Sequence, residues 1–155
     1  MTKIIHGERV GKLGKIHLGC SAVLFNSENN QVLLTRRIDN GMWCLPGGKI
    51  DPGETVAEGC AREVLEETGL KIRITRFTGI YSDPNQLVIY PDNNRVQIIA
   101  LNFEVDLVGG EMRLSAETTD IRFFPIAEAL EMDLFHTHVL RIRDALTMQE
   151  AAFIR

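Results

Sequence analysis

The sequence predicts a layered α/β or α+β fold, and three observations predict it. Strand-length apolar segments recur along the chain, a capped amphipathic helix interrupts them, and a second helical pattern follows the last of them. Lys15 to Asn26 (KIHLGCSAVLFN) reads as a strand of mixed alternation, and the Ser-Glu-Asn-Asn after it reads as a turn. Gln31 to Arg37 (QVLLTRR) carries an apolar run expected to be buried on both faces. The stretch DNGMWCLPGG is punctuated as a loop, and Thr55 to Thr68 reads as a helix. LKIRITRFTGIYS is a strand, DPNQLVIYPDNN a long excursion, and RVQIIALNFEVDLV a further strand closed by Gly109 and Gly110. DIRFFPI is a short strand ending at Pro125. Leu134 to Leu146 has helical spacing, with Asp133 as its expected cap.

The 155 residues suit one domain spanning 1–155, with no repeat or linker to divide it. Apolar content of 45% and charged content of 25% are those of a soluble globular chain. No apolar run approaches the roughly 20 residues that span a bilayer. The N-terminal stretch is too polar for a secretory signal, so a cytoplasmic location and no membrane contact are expected. Cys20, Cys44 and Cys60 are odd in number and widely spaced, which argues for buried reduced thiols over disulfides or structural zinc. A net charge of −4 argues against stable nucleic-acid binding, which draws its affinity from lysine and arginine. A small phosphate compound remains open, given a local basic cluster or a bridging metal ion.

The central helix poses a charge problem. Thr55 with Glu58 three residues on forms a capping-box pattern, and Gly69 supplies the stop. Val56, Ala57, Cys60, Ala61, Val64 and Leu65 make an apolar stripe. Glu63, Glu66 and Glu67, at i, i+3 and i+4, share an arc opposite much of it. Glu66 and Glu67 lie in the last turn, where the helix dipole disfavours each by about 0.3–1 kcal/mol. Glu63 and Glu67 form a like-charge pair that costs a few tenths of a kcal/mol more. A solvated acidic face is the plain reading. A bound divalent cation would remove both penalties, and carboxylates without thiol or imidazole favour Mg²⁺ or Mn²⁺.

The whole segment follows the pattern G-x5-E-x7-R-E-U-x-E-E-x-G-U, where U is a bulky aliphatic residue. Its fixed positions here are Gly48, Glu54, Arg62, Glu63, Val64, Glu66, Glu67, Gly69 and Leu70. The segment resembles the Nudix box of the Nudix hydrolases, complete and without a substitution. The flanks VLLTRR, GMWCLPGG and AETTDIRFFP extend the resemblance from about Leu18 to Leu130. It implies an α/β/α sandwich around a mixed sheet, and Mg²⁺- or Mn²⁺-dependent cleavage of a nucleoside diphosphate linked to another moiety. The backbone carbonyl of Gly48, with Glu63, Glu66 and Glu67, would hold the metal. Glu54 and Arg62 would pair behind it, and the general base would be Glu63 or Glu117. Without metal, at least one of these carboxylates should titrate high. The intact glutamates count against a noncatalytic nucleotide-sensing module and against an isopentenyl-diphosphate-type isomerase. The resemblance is compatible with a homodimer.

Arg36, Arg37 and Lys49 are the candidate substrate contacts, since bidentate guanidinium suits a phosphate. Alternation sends the two arginines to opposite faces, and Arg37 is preferred. Trp43 and Pro46 are expected to pack the loop rather than stack on a base. Pro84 reads as a turn residue, although a proline near this place marks ADP-ribose hydrolases in the family. The glutamine-bearing loop of RNA-decapping relatives is absent. His136 and His138 stand at i,i+2, where helical side chains do not face each other, so they read as a helix start and not as a metal pair.

Overall fold

A computed structural model describes residues 1–135 and 137–155. Its strands are β1 (Lys3–His6), β2 (Lys15–Leu24), β3 (Gln31–Arg37), β4 (Trp43–Cys44), β5 (Leu70–Tyr81), β6 (Gln86–Ile89), β7 (Arg95–Gly110), β8 (Thr118–Pro125) and β9 (Phe153–Ile154). Its α-helices are α1 (Val56–Thr68), α2 (Ile126–Ala129) and α3 (His138–Leu146). One mixed sheet centres on the long β7, which pairs in parallel with β2 and antiparallel with β5 and β6. β1 extends it beyond β6, and β9 lies along β5. The second sheet has the order β4-β3-β8, all antiparallel.

The period-2 geometry of β2 and β3 places a helix on each face. Cys20, Ala22 and Leu24 of β2, with Leu33 of β3, pack against Cys60 and Val64 of α1. Val23 of β2, with Val32 and Leu34 of β3, packs against Ala129 of α2 and Ile142 and Ala145 of α3. The apolar run of β3 is thus buried on both faces, as its sequence predicts. The result is the expected α/β/α sandwich, with β2 and β3 at its centre.

Helix α1 has both halves of the capping box. Thr55 Oγ1 accepts the Glu58 N–H at 3.2 Å, and Glu58 Oε2 accepts the Thr55 N–H at 2.8 Å. At its other end Gly69 adopts φ 76°, the left-handed conformation of a helix stop. The buried face differs from the predicted stripe. Gly59, Cys60, Val64, Glu67 and Thr68 are buried, whereas Val56 and Ala57 are exposed. The helix is rotated so that Glu67 points into the protein.

Other elements also depart from expectation. The excursion after β5 contains β6, because β1 gives that segment a pairing partner from the far end of the chain. α3 begins at His138 rather than Leu134. Its N-cap residue is Thr137, so Asp133 does not cap it. The residues before α3 are held instead by a bridge from Trp43 to Leu134 and by the Phe135 N–H donating to the Trp43 carbonyl at 2.9 Å. All three cysteines are buried and free. No helix among the described residues is long and apolar enough to cross a membrane.

Leu33 is fully buried between β2 and α1. Leu33→Ala should therefore cost about 2–5 kcal/mol. Urea denaturation checks this, as a lowered midpoint at unchanged slope. A loss below about 1 kcal/mol would show that Leu33 is not a core residue of the sandwich.

Candidate active site

The loop before α1 and the last two turns of the helix face each other across Gly47 and Gly48. The Gly48 carbonyl accepts the Cys20 N–H at 2.8 Å, which fixes the loop to β2. A Cβ on Gly48 would lie 2.4 Å from Glu63 Cδ, so a side chain there would displace the carboxylate. Glu67 is 9% exposed, and its Oε2 accepts the Gly47 N–H at 3.0 Å. The positive charge among the glutamates is Arg62. Its Nε donates to Glu54 Oε1 at 2.5 Å, and Nη2 reaches Glu54 Oε2 at 3.0 Å and the Lys49 carbonyl at 2.9 Å. Nη1 donates to Glu63 Oε1 at 3.0 Å and to Glu66 Oε2 at 3.1 Å. One guanidinium therefore ties the loop to three carboxylates.

These contacts set the titration of each group. The hydrogen bond from Arg62, aided by the Asp51 N–H, holds Glu54 down at about 2. Burial raises Glu63; Arg62 offsets part of the rise, and the neighbouring Glu66 and Glu117 add to it. Burial pushes Glu67 up to about 8 against the opposing Gly47 N–H, with Glu63 and Glu117 raising it further and Arg37 lowering it. The expectation that at least one carboxylate titrates high thus holds for Glu63 and Glu67.

Among the described residues, no group of three or more His, Cys, Asp and Glu side chains is gathered around a common metal position. The reason is visible in the hydrogen bonds. Arg62 draws Glu63 and Glu66 to itself, while Glu67 turns to the Gly47 N–H. The donors nevertheless suit a hard divalent cation. They are carboxylate and carbonyl oxygens, and one of them is a buried carboxylate that a cation would relieve of its proton.

The carboxylates open into a cavity of about 330 Å³. Gly48, Lys49, Glu63, Glu66, Glu67 and Glu117 line it, as does Arg37. Glu54 and Arg62 stand behind it. Arg36 is not part of it: alternation along β3 turns its side chain outward, and its Nε donates to the Gly41 carbonyl at 3.0 Å. Of the two arginines at the end of β3, Arg37 lines the cavity and Arg36 does not. Arg37 is held by a bidentate pair with Asp39, at 2.9 and 2.7 Å, and the Thr2 hydroxyl donates to the same carboxylate. Its guanidinium lies 4.7 Å from the centre of the Phe135 ring. Trp43 packs edge-on against Phe124 at 4.8 Å and does not line the cavity. Pro84 sits in the turn between β5 and β6, and its carbonyl accepts the Gly11 N–H. His136 lies outside the described residues.

Sequence reasoning missed the other wall. His17, Tyr90, Ile98, Phe135, His138 and Arg141 also line the cavity. They come from four separate stretches and follow no motif, so only the fold gathers them. One sequence signal existed: His138 and Arg141 stand at i,i+3 and interrupt the apolar face of a helix. The Nδ1 of His138 accepts the Leu45 N–H at 2.8 Å. Arg141 is 2% exposed, and burial lowers it to about 10, so it stays cationic at neutral pH.

A family model for the NUDIX domain matches residues 15–144. A "MutT-like protein" of Streptomyces ambofaciens is 36% identical over 119 residues, which are 77% of this chain and 70% of that one. An "ADP-ribose pyrophosphatase" of Methanocaldococcus jannaschii is 31% identical over 117 residues, 74% of this chain and 66% of that one. Among solved structures, a MutT protein from Methanosarcina mazei Go1 superposes with a TM-score of 0.69 at 26% identity, covering 88% of this chain and 98% of that one.

The raised Glu67 makes the metal-free protein sensitive to pH. The unfolded chain releases this proton near the ordinary 4.5, and the native state keeps it to about 8. Between those values the native state binds more protons than the unfolded state, so stability is lost as pH rises through that window. Denaturation in EDTA from pH 5 to 9 should show this loss. Glu67→Gln should flatten it and be the more stable protein at pH 8. Parallel pH dependences in the two proteins would contradict the placement of Glu67.

Proposed function

The chain belongs to the Nudix family and is a hydrolase of phosphoric anhydride bonds, and from that premise we propose that it cleaves a nucleoside diphosphate linked to another moiety with the aid of Mg²⁺ or Mn²⁺. Nucleoside triphosphates and ADP-ribose-like nucleotides are the substrate classes, in keeping with the names carried by its relatives. One observation supports this reading above the others. The hard oxygens of Gly48, Glu63, Glu66 and Glu67 face Arg37 across a single cavity, so anion-binding and cation-binding groups address the same space.

The Gly48 carbonyl with Glu63, Glu66 and Glu67 would hold the divalent ions. When bound, such ions neutralise diphosphate oxygens and make water a stronger nucleophile. The chain's own residues do the rest. Arg37, locked by Asp39, presents its remaining donors to the phosphates. Arg62, gripped by Glu54, ties Glu63 and Glu66 to the end of the loop, and a bound cation would share their oxygens with it. Glu117 stands exposed on the cavity wall, close enough to Glu63 and Glu67 to raise both. Arg62 engages Glu63, which leaves Glu117 as the better-placed acceptor of the proton from the attacking water. Water adds to one phosphorus of the anhydride, and the bridging oxygen leaves with the other phosphate.

A substrate panel with Mg²⁺ tests the proposal. It should contain nucleoside triphosphates, ADP-ribose, other nucleotide sugars and dinucleotides. Wild type should cleave at least one class, and Glu67→Gln should cut that turnover by at least about 100-fold, as loss of a charge-stabilising group does. Glu117→Gln should lower kcat by about 100-fold and leave Mn²⁺ binding in place. Near-normal turnover in Glu67→Gln would remove the carboxylates from the reaction.

A further inference from the structure

Thr2 is buried where its neighbours are not. It is 5% exposed, between Met1 at 77% and an exposed Lys3. Its hydroxyl reaches across the fold and donates to Asp39 Oδ2. The same oxygen accepts Arg37 Nη2 at 2.7 Å, and Asp39 Oδ1 accepts Arg37 Nε at 2.9 Å. Burial would raise the Asp39 carboxyl, but the hydrogen bonds from Arg37 and Thr2 hold it below its ordinary value. Asp39 is therefore an anion at neutral pH. Thr2, Asp39 and Arg37 form one hydrogen-bonded chain that ends in the cavity.

The two ends of this chain are anchored independently. β1 carries Thr2 into place: Lys3 pairs with Ile89 of β6, one residue before Tyr90 of the cavity wall. Ile4 packs against the cluster of Cys44, Val88, Val96 and Phe135. Asp39 sits in the turn after β3, which the Arg37 N–H closes on the Met42 carbonyl at 2.9 Å and the Gly41 N–H on the Arg37 carbonyl at 3.0 Å. A carboxylate pivots readily about its terminal torsion. Two bonds from a guanidinium fix the two planes to each other, yet the pair still swings as a unit about the Asp39 side chain. A third donor on Oδ2 opposes that swing. Arg37 spends Nε and one N–H of Nη2 on Asp39, so its outer N–H groups are the fork for a phosphate. Their direction follows the carboxylate that Thr2 holds and the Phe135 ring, whose centre lies 4.7 Å from the guanidinium.

We infer that Thr2 is a positioning residue for the substrate phosphates: its hydroxyl, acting through Asp39, aims the Arg37 guanidinium at them. The inference rests on the pyrophosphohydrolase reading and extends its site to β1, far outside the segment from Gly48 to Leu70. Aim and charge are separable here. Thr2 carries no charge, so its effect on phosphate binding is one of geometry. Asp39→Asn removes a negative charge beside Arg37. If Arg37 acted as a charge alone, that variant would bind phosphates more tightly. Positioning predicts weaker binding, because an amide accepts on one atom where the carboxylate accepts on two.

The test titrates the full chain, in Mg²⁺, with methylenediphosphonate, a diphosphate analogue whose bridge cannot be hydrolysed. Calorimetry gives its affinity, and kcat and KM are measured on the substrate class that the panel shows to be cleaved. Thr2→Val keeps the shape and removes the hydroxyl, whereas Thr2→Ser keeps the hydroxyl. Thr2→Val should weaken diphosphonate binding and raise KM by about three- to tenfold, the size of one hydrogen bond, with kcat within about twofold of wild type. Thr2→Ser should stay within about twofold of wild type in all three. In an Arg37→Met background, Thr2→Val should weaken binding no further, a non-additivity that a merely structural role for Thr2 would not produce. If Thr2→Val does not fold, Asp39→Asn decides: weaker diphosphonate binding supports the inference, and equal or tighter binding overturns it. Unchanged affinity and KM in Thr2→Val, or wild type that leaves millimolar diphosphonate unbound, would also overturn it. A Thr2→Val loss of diphosphonate affinity in a protein that cleaves no member of the panel would overturn the pyrophosphohydrolase reading and leave the positioning role standing.

Discussion

The grip of Arg62 on the carboxylates around it is the interaction on which the site depends. Helix α1 carries three glutamates near its negative end, and one of them points into the core. Taken alone, such a helix should be unfavourable through its dipole, its like-charge pair and the desolvation of Glu67. A single guanidinium reaches Glu54, Glu63, Glu66 and the Lys49 carbonyl at once. Individual half-exposed ion pairs contribute little to stability, about 1 kcal/mol or less. The value of this one lies in geometry. It fastens a glycine-rich loop to a helix and fixes where the oxygens stand.

The remaining structure serves that arrangement from three directions. β2 holds the loop through the Cys20 N–H on the Gly48 carbonyl, and two adjacent glycines let the backbone come within contact of Glu63 and Glu67. β3 delivers Arg37 to the opposite wall, where Asp39 and Thr2 keep its guanidinium from wandering. α3, on the far face of the sandwich, reaches through to the cavity with His138 and Arg141. The cavity therefore sits where the two helical layers meet the central strands, lined by the carboxylates of α1, by Arg37 of β3 and by residues of α3. Stability has been given up to make it: a buried carboxylate and a buried guanidinium in one small domain-sized chain are both costly to desolvate.

Much of this was legible in the residues because the relevant signals are local. The capping box at Thr55, the stop at Gly69 and the run of glutamates all lie within one continuous segment, and the unbroken apolar run of β3 foretells burial on both faces. What was not legible depends on distant partners. β6 is a strand because β1 pairs with it, and its own sequence reads equally as loop. The rotation of α1 that buries Glu67 follows from the Gly47 N–H waiting beneath it, which no helical-wheel argument contains. Arg36 and Arg37 are indistinguishable by type, and only the strand's facing separates them. The α3 wall escaped notice because a histidine and an arginine on a helix read as solvated until the fold places them against a cavity.

The central claim is that the oxygens around Gly48 would hold a divalent cation, with Arg62 keeping the loop and helix α1 together around it. The most direct measurement is titration of the protein with Mn²⁺ followed by electron paramagnetic resonance, with Mg²⁺ as competitor. The account predicts saturable Mn²⁺ binding that Mg²⁺ displaces, and weaker binding in Arg62→Lys, which keeps the charge but cannot fork between Glu54 and Glu63. Folded wild-type protein that leaves millimolar Mn²⁺ free in solution would contradict it.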